Sequence, residues 1–335
     1  MLGVETSDGT GGRTMKAAVI ERYGPPEVVQ IKDVPTPVPA DDEVLVESYA
    51  ITVNSGDARV RALRVPRGVS PMMRLRLGFT GPRQPIMGFE VAGRVEAVGS
   101  AVTAFQPGDR VVASRGFKFG CHAEHVAVAE DGLIARIPDS LSYEDAVALC
   151  FGGTTSLIFF GMGKLAEGET LLVNGASGAV GTMAVQIAKH LGAEVTGVCS
   201  GANAELVKGL GADHVVDYTA EDFTRSGRRY DVIMDNHGNA PYSRVKGSLA
   251  PGGRFLQVIA DLPQMIAATW QKPVIGGSPK VTADLFRTLM SLGETGELKA
   301  VIDTVLPFSQ IVEAHRRVDT DHKVGSVVLT FDHDD

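Results

Sequence analysis

Thr170-Leu171-Leu172-Val173-Asn174-Gly175-Ala176-Ser177-Gly178-Ala179-Val180-Gly181-Thr182-Met183-Ala184-Val185-Gln186-Ile187-Ala188-Lys189 decides how this chain is read. A short apolar run runs into a glycine-rich turn, and apolar residues at helical spacing follow. Strand, glycine turn and helix in that order are the context a dinucleotide site requires. Gly178 has no Cβ, so a pyrophosphate can approach the backbone. Gly181 lets the helix pack closely on the strand. The helix N-terminus offers unpaired N–H groups and partial positive charge to the phosphates. Ala176 stands where the usual G-x-G-x-x-G pattern has its first glycine. An ordinary tight turn between strand and helix gives the same pattern in isolation, so the surroundings carry the weight.

Those surroundings alternate. Strands are expected at 170–173, 194–199, 214–217, 230–234 and 254–259, and helices at 179–191, 204–210 and 241–249. This rhythm predicts an α/β unit, a doubly wound parallel sheet with helices on both faces. Ser142 and the acids Glu144 and Asp145 open an apolar helix running to about residue 160. Upstream, short β-branched runs at 17–20, 44–53, 91–98, 110–113 and 125–128 are broken by Gly, Pro and Asp pairs, as a compact antiparallel unit requires. After residue 277 the rhythm changes: helix 281–291, strand 301–306, helix 310–318, strand 326–330. The last strand has no place in the doubly wound sheet. The expected organisation is therefore a leader at 1–14, a discontinuous β-rich domain at 15–138 and 278–335, and a dinucleotide-binding domain at 139–277. The leader lacks the basic and apolar regions of a signal peptide.

Composition narrows the classes. The chain has 335 residues, 44% hydrophobic and 21% charged, enough for two domains with substantial cores. A net charge of −8 argues against a general nucleic-acid or membrane-surface binder. No uninterrupted apolar run reaches the ~18 residues of a membrane span. Three scattered cysteines, Cys121, Cys150 and Cys199, fit neither a disulfide framework nor a thiolate-built structural metal site. They suit a reducing, cytoplasmic setting.

The tip after the second strand is Ser200-Gly201-Ala202-Asn203. An NAD-preferring site carries an acid there to hold the ribose 2′-hydroxyl. With no carboxylate to repel a 2′-phosphate, NADPH is expected over NADH. No Arg or Lys stands in those four residues to strengthen that preference.

Several separated motifs, in order, resemble the medium-chain dehydrogenase/reductase superfamily, and within it the zinc-free quinone oxidoreductase group. They are Pro85-Ile86-Met87-Gly88-Phe89-Glu90-Val91-Ala92-Gly93, Pro107-Gly108-Asp109-Arg110-Val111, Leu210-Gly211-Ala212-Asp213-His214-Val215, Pro251-Gly252-Gly253-Arg254 and His322-Lys323-Val324-Gly325-Ser326-Val327-Val328-Leu329. The resemblance implies a GroES-like catalytic domain, a Rossmann domain and a coenzyme in the cleft between them. Zinc-bearing relatives use two thiolates and an imidazole. By resemblance, Asn54, Phe89 and Phe151 stand at those positions, with Cys150 one residue away, so no metal is expected. What remains is hydride transfer to an acceptor already electron-poor, a quinone or an α,β-unsaturated carbonyl. The alternatives are an enoyl-thioester reductase and a dinucleotide-binding protein with little turnover.

The candidate catalytic residues are Asn54, which can hydrogen-bond a substrate carbonyl or the coenzyme ribose, and Asp57, which either orients its neighbours or caps a turn. The candidate coenzyme-binding residues are Gly175, Ala176, Ser177, Gly178, Ala179, Val180, Ser200 and Asn203, with Thr155 beside the nicotinamide and Tyr218 beside the adenosine phosphate by resemblance. Asn203 falls where relatives often carry lysine. Arg59, Arg61, Arg64, Arg67, Arg74, Arg76 and Arg83 form a basic stretch, read either as an anion-steering patch or as a solvated loop. His122 and His125 read as core or edge packing. The expected partner is a small electrophilic substrate, with no nucleic acid and no membrane, and the resemblance implies a homodimer.

Overall fold

The computed structural model describes residues 12–64, 70–260, 263–264, 266, 270–277 and 281–333. The expected leader therefore lies almost wholly outside the described residues, as do Arg67, Met265 and most of the stretch around them.

β1 (Thr14–Ile20) and β2 (Val29–Pro35) form an antiparallel hairpin. β3 (Glu43–Val53) then runs into α1 (Ser55–Arg61) and α2 (Ser70–Leu77). β4 (Glu90–Val98), β5 (Arg110–Ser114), β6 (His125–Ala129) and β7 (Leu133–Arg136) follow as short strands. α3 (Tyr143–Gly163) leads into the alternating half: β8 (Thr170–Asn174), α4 (Ala179–His190), β9 (Glu194–Cys199), α5 (Ala204–Gly209), β10 (His214–Asp217), β11 (Tyr230–Asp235), α6 (Tyr242–Val245), β12 (Leu249–Gln257) and β13 (Val274–Ile275). α7 (Ala283–Glu294), β14 (Ile302–Pro307), α8 (Ile311–Asp319) and β15 (Ser326–Thr330) close the described chain.

Two main sheets result. One is parallel with strand order β10-β9-β8-β11-β12-β13. Its order reverses between β8 and β11, and the C-terminal ends of those strands frame the crevice where such sheets take ligands. The other has order β14-β15-β3-β4-β5-β7, with β6 also paired to β3. β15 is antiparallel to β3, with Val327 opposite Val53. The chain thus returns after the parallel sheet to complete a sheet begun near its start.

α3 joins the two. Ser142 caps it by accepting the Asp145 N–H at 3.0 Å. This helix is long and apolar enough to cross a bilayer, but 67% of its apolar window is buried inside the fold. One core runs through it, from Ala50 and Ala92 of the mixed sheet to Leu171 and Val173 of the parallel one. α7 belongs to that same core through Phe286, Leu289 and Met290, so the chain rejoins the mixed sheet only at β14.

The expected helix at 241–249 is one turn, α6, and a 3₁₀ turn; Leu249 already opens β12. β12 therefore begins before the expected 254, and its register against β11 jumps between Tyr230 and Val232. Pro251, which has no N–H to donate to the ladder, and Gly252, at φ +81°, account for the irregularity.

Candidate functional site

A cleft of about 820 Å³ opens between the two sheets at the crevice of the parallel one. Its floor is the glycine turn. Gly175, Ser177, Gly178, Ala179 and Val180 all line it. A Cβ on Gly178 would meet nothing nearer than the Gly175 carbonyl at 3.7 Å, so the space above that residue is open. A Cβ on Gly181 would lie 2.0 Å from the Gly175 oxygen, so α4 packs on the turn with no room to spare. Ala176 is fully buried and does not reach the cleft. Its methyl sits where β9 provides Gly197; a Cβ there would approach it to 3.0 Å. The missing first glycine is thus accommodated from the neighbouring strand.

The rim beyond β11 is built by one carboxylate. Asp235 is buried; its Oδ1 accepts the Asn174 amide at 2.8 Å and the N–H groups of His237 and Gly238 at 3.1 Å. Its Oδ2 accepts Ala240 N–H at 3.2 Å. This turns the 236–240 loop so that Asn236, His237 and Asn239 face the cleft. Both amide atoms of Asn236 are buried without a protein partner, as befits a group that meets a ligand. At the other end, Ser200, Asn203 and Tyr218 line the cleft. Asn203 donates to the Ser177 hydroxyl at 3.2 Å, tying the strand tip to the glycine turn. Asp217, next to Tyr218, does not line the cleft; its Oδ1 accepts the Thr219 hydroxyl at 2.7 Å and its Oδ2 lies against Gly201 of the strand tip.

The segment at 321–324 also lines the cleft, a contribution the sequence reading matched by resemblance but did not place in the site. Gly325 donates its N–H to the Ser177 carbonyl at 2.9 Å and bridges Gly178. Lys323 is held over this junction, donating to the Gly325 carbonyl at 2.5 Å, and burial pulls its ammonium down to about 8. Arg59 faces it across the cleft, with burial lowering its guanidinium against the opposing pull of Asp321.

The remaining candidates fall behind the wall. Asn54 and Asp57 form a reciprocal cap on α1: Asn54 Oδ1 accepts the N–H groups of Gly56 at 2.8 Å and Asp57 at 3.1 Å, and Asp57 Oδ2 accepts Asn54 N–H at 3.0 Å. Both are buried, and their neighbour Ser55 is the residue that meets the cleft. Thr155 does not reach it either; its hydroxyl donates to Phe151 O at 2.8 Å, and Phe151, one turn earlier on α3, lines the cleft instead. The arginines do not share a face. Arg61 is buried against Asp319, Arg64 pairs with the same carboxylate, Arg74 bonds Phe79 O, and Arg76 lies 5.2 Å over the Phe117 ring. Trp270, in the weakly patterned stretch near residue 265, is 85% exposed.

This architecture has known counterparts. Residues 40–139 match the family described as alcohol dehydrogenase GroES-like domain, and residues 210–329 match zinc-binding dehydrogenase. A spinach chloroplastic quinone-oxidoreductase homolog is 31% identical, covering 89% of this chain and 92% of its own. The chain belongs to the medium-chain dehydrogenase/reductase superfamily, in its quinone oxidoreductase-like group. An Arabidopsis protein named NADPH-dependent alkenal/one oxidoreductase is 30% identical over 97% of this chain and 81% of its own. The solved quinone oxidoreductase of Coxiella burnetii superposes with a TM-score of 0.85 at 26% identity, covering 95% of this chain and 99% of that one. The fold is the GroES-like domain plus Rossmann sheet of this superfamily, and the chain is an oxidoreductase of its NAD(P)-binding kind.

Zinc does not fit the donor set that this member of the superfamily presents. Asn54 spends its amide oxygen on the cap. Phe89 and Phe151 put two rings, 6.3 Å apart, where ligands would converge. The Cys150 thiol points back at Ala146 O, and burial raises it well above its ordinary range. Among the described residues no group of three or more His, Cys, Asp or Glu is placed to hold a metal ion.

Proposed function

We propose that this chain is a zinc-independent reductase that passes hydride from NADPH to a quinone or an α,β-unsaturated carbonyl. The observation that carries the reading is the pairing of an open glycine turn with an amide and two phenyl rings at the metal position. Zinc would polarise an unactivated carbonyl; these side chains cannot. An electron-poor acceptor needs no such aid. The nicotinamide, when bound, supplies the hydride. The chain's own part is to hold the dinucleotide on the glycine turn, orient the acceptor and exclude water.

NADPH is preferred on two grounds. The hydroxyl and amide groups of Ser177, Ser200, Asn203 and Tyr218 suit a 2′-phosphate, and Asp217 does not line the cleft. The printed names of the spinach and Arabidopsis relatives support both the coenzyme and the acceptor class. Three buried, unpaired cysteines suit a reducing compartment. The outer edge of β13 is the surface through which a homodimer would form.

The test is an acceptor screen with a quinone, an enal and an enoyl-CoA, NADPH and NADH side by side, with elemental analysis for zinc. Expected are turnover with quinone or enal, a kcat/KM at least ~10-fold higher with NADPH, about 1.4 kcal/mol of discrimination, and no stoichiometric zinc. Turnover with enoyl-CoA alone would select the thioester reading. Tight coenzyme binding with no turnover on any acceptor would make the chain a binding protein.

A further inference from the structure

Directly behind the cleft wall lies a buried polar chamber that the proposed hydride transfer does not use. Asp57 Oδ2 is 3.9 Å from His122 Nε2, and that nitrogen lies 3.0 Å from the Thr52 carbonyl. His122 packs edge-on against His315 of α8, ring centres 6.1 Å apart. Arg61, 1% exposed, faces the same space and pairs through Nη2 with Asp319, which reaches the surface. Gly88 makes the room: a Cβ there would lie 2.4 Å from the His122 ring.

This chamber is far from satisfied by protein alone. Asn54 Nδ2, Asp57 Oδ1, His122 Nδ1, both ring nitrogens of His315, and Nε and Nη1 of Arg61 are buried with no protein partner. Native interiors satisfy nearly all such atoms, and where protein does not, bridging water does. These unpartnered donors and acceptors cluster between Asn54, whose neighbour Ser55 opens on the cleft, and the Arg61–Asp319 pair, where Asp319 reaches the surface.

We propose that bridging waters join this cluster into a proton path that delivers, from solvent at Asp319 to the acceptor oxygen in the cleft beyond Ser55, the proton that the reduction consumes. The inference rests on the reductase reading above. The balance is simple. Hydride leaves NADPH for the acceptor, giving NADP⁺ and an oxyanion. The oxyanion takes a proton from the Asp57 carboxyl through bridging water, and Asp57 is reprotonated along His122 and His315 from outside. One quinone, one NADPH and one proton give one hydroquinone and one NADP⁺. The charges around the path suit it. Burial pushes the Asp57 carboxyl up, against the pull of His122 and the Asn54 and Gly88 N–H groups. Burial, with His122 and Arg61, holds His315 well below its ordinary range, keeping it a neutral relay. Glu90, from β4, is pushed to about 8 by burial and by Asp57, and Cys121, beside His122 in the chain, to about 12 by burial, so neither adds a fixed negative charge near neutrality.

His122→Phe and His315→Phe keep ring volume and remove the relay. Each should lower kcat on the order of tenfold at alkaline pH and leave KM and coenzyme affinity unchanged. The wild type should give a curved proton inventory, the mark of more than one proton in flight. Variants with wild-type kcat and solvent isotope effect across the pH range would overturn the path. Should either variant fail to fold, a linear wild-type inventory overturns it equally. A wild type that reduces no acceptor sinks the reductase reading instead. A high-resolution crystal structure then decides the path by itself: ordered waters joining Asp57 Oδ1 to His315 support it, and a dry chamber refutes it.

Discussion

Gly178→Ala and Gly181→Ala are expected to fail in opposite assays, although the two glycines sit three residues apart in one turn. At Gly181 an added methyl meets the Gly175 carbonyl at 2.0 Å and the Ala176 Cα at 2.6 Å, backbone atoms that cannot swing aside. Overpacking of this kind costs about 1–3 kcal/mol, and with backbone on the receiving side the upper end applies. About 3 kcal/mol corresponds to a fall in Tm of roughly 4 °C for a chain of this length. At Gly178 the backbone is extended, φ −78° and ψ 173°, and the nearest atom to a new Cβ is 3.7 Å away. Alanine there should leave stability unchanged or raise it by about 0.5 kcal/mol through the unfolded state. The same methyl would stand where a pyrophosphate must approach the N–H groups of α4. Losing one charge-assisted hydrogen bond costs about 1.5–3 kcal/mol, or roughly 10- to 100-fold in Kd. Thermal unfolding without ligand, followed by a coenzyme titration on each variant, separates the two roles. A Gly178→Ala protein that binds dinucleotide like wild type would show that the phosphates do not lie on this turn. A Gly181→Ala protein with an unchanged Tm would refute the packing argument.

Asn54→Ala removes the capping oxygen of α1 and should lose about 1 kcal/mol of stability in urea unfolding. Lys323 carries its charge below about 8, so affinity for the anionic coenzyme should weaken as pH rises through that value. Lys323→Met should give a flat binding profile by titration calorimetry. Glu90 binds its proton up to about 8 in the folded chain and only to about 4.5 when unfolded, so native stability should fall as pH rises between those values and level off above them. Glu90→Gln should flatten that slope in denaturant titrations at several pH values.

The parallel sheet was legible because its signal is local. A strand ending in Asn174, a turn of small residues and an amphipathic helix follow one another within twenty residues, and all three form as read. The return of the chain to the first sheet was legible for a different reason: the strand at 326–330 had nowhere else to pair. Which side chains meet the cleft and which lie behind its wall was not legible. Thr155 and Phe151 lie on one face of α3, and only the packing of that helix decides which of them meets the cleft. Asp57 read equally well as a catalytic or a capping carboxylate; its partner Asn54, three residues earlier, makes the cap, and burial does the rest. The arginine stretch reads as one patch in one dimension. In three it is taken apart by Asp319, Tyr23 and Phe117, which lie far from it in sequence.

β15 takes its place beside β3 about 270 residues after β3 is made. At ordinary translation speeds that is a wait on the order of half a minute, during which α3, the most apolar helix of the chain, has been synthesised but lacks the strand and helix that later cover it. Pairing over such a separation also makes closure slow once the strand exists. The nascent protein therefore carries one long apolar segment that stays incompletely covered until its last strand is made.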